Sequence, residues 1–158
     1  MSTVGEGGDG KRNYWSGRAG STWWFYCTGD ATNEVWSAYV AHCAAMLESD
    51  TVNPSLVCIC HRADSPTAEQ RRMMADFIKA EAARLSSLVG FALVLDSPLH
   101  ILALRAINWI VKKPFPETVC GSPSSAVAWL AQRGAAIDSQ ALMDSLEQQV
   151  PLEHLALR

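Results

Sequence analysis

At 158 residues, 49% of them hydrophobic and only 18% charged, the chain is too apolar and too weakly charged to stay disordered. It is long enough for one domain that hides roughly 70% of its unfolded surface. Its net charge is −3, and its basic residues are scattered apart from Arg71-Arg72 and Lys112-Lys113; nothing tracks a phosphate backbone, so no nucleic-acid partner is expected. The beginning of the chain has no apolar leader, and the most apolar stretch, residues 99–111, is shorter than the ~20 residues that span a bilayer, which predicts a cytoplasmic protein without a membrane span.

Residues 2–10 are small, polar and glycine-rich, and they predict a flexible lead-in over 1–12 because they lack the apolar area that offsets ordering entropy. Trp23-Trp24-Phe25-Tyr26-Cys27 reads as a strand. Neighbours in a strand face opposite ways, so Trp23 and Trp24 cannot enter one core: either both faces are covered or one is an interface. Tyr14-Trp15 pairs with this strand as a hairpin through a turn at 17–21. Val35, Trp36, Tyr39, Val40, Cys43, Met46 and Leu47 then trace one helical face, with Asp30 or Thr32 as N-cap.

After a turn at 49–54, the continuous apolar run at 56–60 predicts a parallel strand covered on both sides. The next helix has two available starts, Ser65 as cap with Pro66 at the first helical position, or Thr67 with Gln70 as a capping box; Met73, Met74, Phe77, Ile78 and Leu85 form its buried stripe. Residues 90–95 predict a third strand, and Ser97-Pro98 opens a helix over 98–111 that is apolar almost all round and therefore expected to be buried on more than one side. A short strand at 117–120, a helix at 124–133 ended by Gly134, and an amphipathic helix at 138–149 cut by Pro151 complete the order. The predicted organisation is an α/β domain over 13–134, with a mixed, mostly parallel central sheet flanked by helices, and a helical tail over 135–158 packed on it.

Asp-Ser-Pro occurs twice in one context, at 64–66 after the second apolar strand and at 96–98 after the third. In a parallel sheet both turns fall at the carboxyl edge of the strands, where such folds place ligand or switch residues. The candidate partner- or ligand-binding set is therefore His61, Asp64, Ser65, Thr67, Asp96, Ser97 and His100. Helix capping accounts for both serines in the simplest way. A Ser-His-Asp hydrolase needs more than this edge supplies, since the chain has neither a Gly-x-Ser-x-Gly elbow nor a glycine-rich oxyanion loop, and no catalytic residue is assigned. Cys27, Cys43, Cys58, Cys60 and Cys120 sit mostly in apolar runs and read as reduced thiols; Cys58-x-Cys60-His61 has no second ligand pair, so neither a metal nor another cofactor is expected.

Residues 23–29, 56–74 with Asp64-Ser65, 90–95, and 115–131 with Phe115-Pro116-Glu117-Thr118-Val119-Cys120 before Ser124-Ser125-Ala126-Val127-Ala128-Trp129-Leu130 resemble the STAS family, the domains of anti-sigma-factor antagonists and anion-transporter tails, in an uncharacterised bacterial branch. The resemblance implies a STAS-like fold and a non-enzymatic regulatory or protein-interaction role. It also implies Ser65 as phosphoacceptor, in a turn that has become degenerate: Pro66-Thr67 stands where switching members carry Ser-Gly. The expected partner is another protein or a second copy in a homodimer. The alternative is a carrier or enzyme for a small apolar or anionic ligand at the same edge, which a cavity lined by Met73, Phe77 and Leu102 would favour.

Overall fold

The computed structural model describes residues 12–96, 102, 105, 106 and 109–155. In chain order its elements are β1 (Tyr14–Ala19), β2 (Thr22–Gly29), α1 (Asn33–Glu48), β3 (Ser55–Ala63), α2 (Ala68–Ala80), the single turn α3 (Ala82–Leu85), β4 (Gly90–Leu95), β5 (Glu117–Cys120), α4 (Pro123–Gln132) and α5 (Ser139–Gln149). The strands lie in the order β1-β2-β3-β4-β5. β1 runs antiparallel to β2, and every other neighbouring pair is parallel, which is the mixed, mostly parallel sheet that the residue pattern predicts.

The hairpin turns more tightly than expected. Only Gly20 and Ser21 lie between β1 and β2, and Gly20 takes a φ of +61°, a conformation that side chains rarely adopt. Gly17 belongs to β1 rather than to the turn. It sits opposite Trp24, and a Cβ there would stand 2.6 Å from the indole, so the missing side chain is what lets that ring lie across the strand.

Both sheet faces are covered. Trp24, Tyr26, Val57, Ile59, Ala92 and Val94 point to one side, where Leu130 of α4 and Leu142 and Leu146 of α5 close over them. Phe25, Cys27, Leu56, Cys58, Phe91 and Leu93 point to the other, under α1 and α2. Trp24 is fully buried and its Nε1–H donates to Ser145 Oγ of α5 at 3.0 Å, while Trp23, half-buried, packs against the core on the other face.

Both helix starts that the residues left as alternatives are decided. Thr32 caps α1, accepting from the Val35 amide, and Asp30 does not. Thr67 caps α2: its hydroxyl accepts from the Gln70 amide while Gln70 Oε1 accepts from the Thr67 amide, which places Ser65 and Pro66 outside the helix. The reciprocal pair satisfies two amides that a serine followed by proline would leave to one oxygen.

The helix predicted over 98–111 is described at Leu102, Arg105, Ala106, Trp109 and Ile110, all helical. Burial is not what these residues show. Leu102 is 60% exposed, Trp109 92% and Ile110 43%, and their spacing puts them on one face, turned to solvent. Apolar sequence all round does not ensure cover all round. Among the described residues no helix is long and apolar enough to cross a membrane.

Candidate functional site

The carboxyl edge forms because β3 runs past its apolar segment. Beyond Cys60 it continues through His61, Arg62 and Ala63, and its pairing with β2 shifts between Thr28 and Gly29, so Arg62 is an extra residue with φ +49°. A bulge of this kind takes one amide out of the ladder. Asp96, just beyond β4, restores its partner: Asp96 Oδ2 accepts from the Arg62 amide at 2.7 Å and lies 3.1 Å from His61 Nδ1. The Asp64 amide donates to Gly29 O at 2.9 Å, which pins the chain again after the bulge.

His61, Asp64, Ser65, Thr67 and Asp96 therefore meet at one edge, while Ser97 and His100 lie outside the described residues. With Nδ1–H directed at Asp96, the neutral His61 ring carries its lone pair on Nε2. Among the described residues no hydroxyl or thiol hydrogen-bonds to that nitrogen. Asp96 instead secures the bulge that sets the 64–67 turn. Ser65 is exposed, whereas Thr67 is committed to its cap. Gln70, 3% exposed, also donates to Ala31 O at 2.8 Å and Asn33 Oδ1 at 3.0 Å, tying the first turn of α2 to the start of α1.

Beneath this edge, between the sheet and helices α1 and α2, lies a cavity of about 110 Å³. Phe25, Val35, Tyr39, Phe77, Phe91 and Leu93 supply much of its apolar wall, and Asp64 and Pro66 of the edge turn also border it. Phe77 lines it as the sequence suggested. Met74 does so in place of Met73, because the helix turns that neighbour away, and Leu102 stands in solvent.

Sequence reasoning did not connect this cavity with the thiols or with Lys113. Cys27 and Cys60 are register partners on adjacent strands with sulfurs 3.5 Å apart, and Cys58, two residues from Cys60 on the same face, has its sulfur 3.9 Å from that of Cys60. The contact with the Cys60 sulfur, then burial, raises Cys27 and Cys58 well above the ordinary thiol range; burial pushes Cys43 to about 12. These are neutral, unreactive thiols near pH 7. None of the five cysteines forms a disulfide, and among the described residues no cluster of three or more His, Cys, Asp or Glu side chains is arranged to hold a metal ion.

Lys113 borders the cavity with its side chain 8% exposed and is ion-paired to Glu117, itself 14% exposed; its Nζ lies 5.9 Å from the centre of the Phe91 ring. Burial lowers the Lys113 pKa and outweighs the opposing pull of Glu117. The alternation of Cys58 and Cys60 was the one sequence signal for this wall. Nothing local in the sequence shows that Lys113 reaches it.

No family model and no curated protein matches this sequence. Among solved structures, the chain is similar to the crystal structure of an uncharacterised protein of the DUF3478 family, with a SpoIIAA-like fold, from Shewanella loihica. The identity is 16%, the TM-score is 0.53, and the match covers 79% of this chain and 99% of that one. Likeness at this identity speaks to the fold, and the strand order and hairpin-first topology agree with it: the chain has the SpoIIAA-like fold, which is the fold of STAS domains and anti-sigma-factor antagonists.

Proposed function

We propose that this chain is a non-enzymatic, STAS-like regulatory module that takes a small apolar ligand into the cavity under α1 and α2 and presents the 61–67 edge to a protein partner. The observation that carries this reading is a shared wall. Asp64 and Pro66 border the cavity and belong to the turn that replaces the switching loop of the family it resembles, so an occupant touches the same backbone that a partner would read. A ligand that binds one arrangement of this turn better than another shifts its population by that difference in affinity. Occupancy thus takes the place that phosphorylation of Ser65 holds in a switch.

Titration of isotope-labelled protein with a small hydrocarbon such as cyclopentane tests this directly. Saturable amide shifts are expected at 64–67 and along the facing side of α1, with a melting temperature that rises with ligand concentration. If cavity-lining amides move while 64–67 stays still, the chain is a carrier without this output; no binding at millimolar concentration overturns the reading.

A second reading, self-association, is favoured by the outward face that carries Leu102, Trp109 and Ile110. Light scattering at micromolar concentration decides it. A dimer that Trp109→Glu returns to monomer supports this contact, and a wild-type monomer removes it.

A further inference from the structure

The cavity wall is unequal in its hydrogen-bonding capacity. An ammonium group has three N–H donors, and Lys113 gives one to Glu117; among the described residues no second acceptor receives from it. Trp36 also lines the cavity, and its indole N–H is buried without a partner. Acceptors are scarcer. Glu117 is not among the residues that line the cavity, the thiols are weak acceptors, the Tyr39 hydroxyl can donate as well as accept, and the Asp64 residue is exposed to water.

The charge balance is just as restrictive. Lys113 and Glu117 neutralise each other, so an anionic occupant would leave a net negative charge in a poorly solvated site with Asp64 nearby, and a cationic one would compete with Lys113 for Glu117. At the packing density of protein interiors, about 0.74, a cavity of about 110 Å³ accepts roughly five or six non-hydrogen atoms before the ligand extends through the mouth. Resting on the cavity reading above, we infer that the occupant is an electrically neutral molecule, of five- or six-membered-ring size where it is enclosed, carrying a carbonyl or ether oxygen that accepts from Lys113 Nζ.

Three probes of six non-hydrogen atoms each separate the parts of this inference: cyclopentanone, methylenecyclopentane and cyclopropanecarboxylate, with affinities read by ligand-detected NMR. Each is measured on the wild type and on Lys113→Met/Glu117→Leu, which removes both charges together and leaves no orphaned ion. The ketone is expected to bind about tenfold more weakly to the double variant, the hydrocarbon to change less than twofold, and the carboxylate to bind the wild type at least tenfold more weakly than the ketone. Equal changes for ketone and hydrocarbon overturn the acceptor assignment and leave the cavity reading standing. A carboxylate that binds the wild type best overturns neutrality. Failure of all three to bind the wild type at millimolar concentration removes the cavity reading itself, and this inference with it. If the double variant does not fold, Lys113→Leu/Glu117→Met replaces it, with loss of the ketone's advantage over the hydrocarbon expected and its persistence overturning the role of the ammonium.

Discussion

The two faces of the sheet are built from the same five strands and differ in how they are filled. On the side of α4 and α5, Trp24, Val57, Ala92, Leu130, Leu142 and Leu146 are without exposure, and the ring of Trp129 fits over Gly90 so closely that a Cβ there would stand 2.7 Å from it. On the side of α1 and α2, half-buried aromatics, small thiols and Lys113 surround a void. Close packing contributes stability, whereas a void forfeits dispersion contacts that a ligand can restore. The tail helix is thus part of the stabilising face, and the proposed ligand would occupy the face opposite.

The comparison is sharpest in the cores. Leu146→Ala is expected to destabilise at the upper end of about 2–5 kcal/mol, and Leu93→Ala, which already borders the void and has fewer contacts to lose, at the lower end. Urea denaturation measures both, and equal losses would mean that the two faces are equally well packed.

Protonation probes the cavity-side helix. His42 packs against Trp23 with ring centroids 5.2 Å apart and the rings tilted by 58°, its Nε2 is buried without a partner, and burial lowers its pKa from 6.5 to about 4. The unfolded chain then binds the extra proton more readily. Its contribution is present above pH 6.5 and is lost as pH falls towards 4, on the order of 3 kcal/mol in all. The stability difference between wild type and His42→Phe should vary across that window; a difference flat with pH would show that His42 titrates normally in the folded protein.

Backbone contact offers a third contrast. Gly90→Ala drives a methyl into the Trp129 and Leu130 side chains and is expected to cost about 1–3 kcal/mol, whereas Gly121→Ala, with nothing within 4 Å of its added methyl, should change the melting curve little. Similar shifts for the two would show that the α4 contact yields freely.

The smallest effect concerns the edge. Thr67→Ala should lose about 1 kcal/mol through the α2 cap, and Ser65→Ala less than about 0.5 kcal/mol, because Ser65 is exposed and outside the helix. A larger loss at Ser65 would return the cap to that residue and take Thr67 out of its role.

Much of this architecture was legible because its signals are local and periodic. The spacing from Val35 to Leu47 specifies one face of α1, the apolar runs specify β3 and β4, and Thr67 with Gln70 is a capping box whose atoms lie within one turn. The helix start was read ambiguously because Ser65-Pro66 carries an equally valid local signal, and the choice depends on Gln70 reaching Ala31 and Asn33, far away in the chain. For the same reason the sequence brought His61 and Asp96 to one edge but did not reveal the bulge at Arg62 that makes Asp96 a backbone acceptor.

By itself, then, the sequence determined the order and type of the described elements and the sheet edge at which Asp64 and Asp96 stand, since alternation and helical period depend on neighbours in the chain. Only the tertiary structure decided that the α1/α2 face keeps a void, that Lys113, paired with Glu117, stands in its wall, and that Leu102 and Trp109 face water. Those outcomes depend on how separately formed elements meet, and side chains distant in the chain must fill, or fail to fill, the space between them.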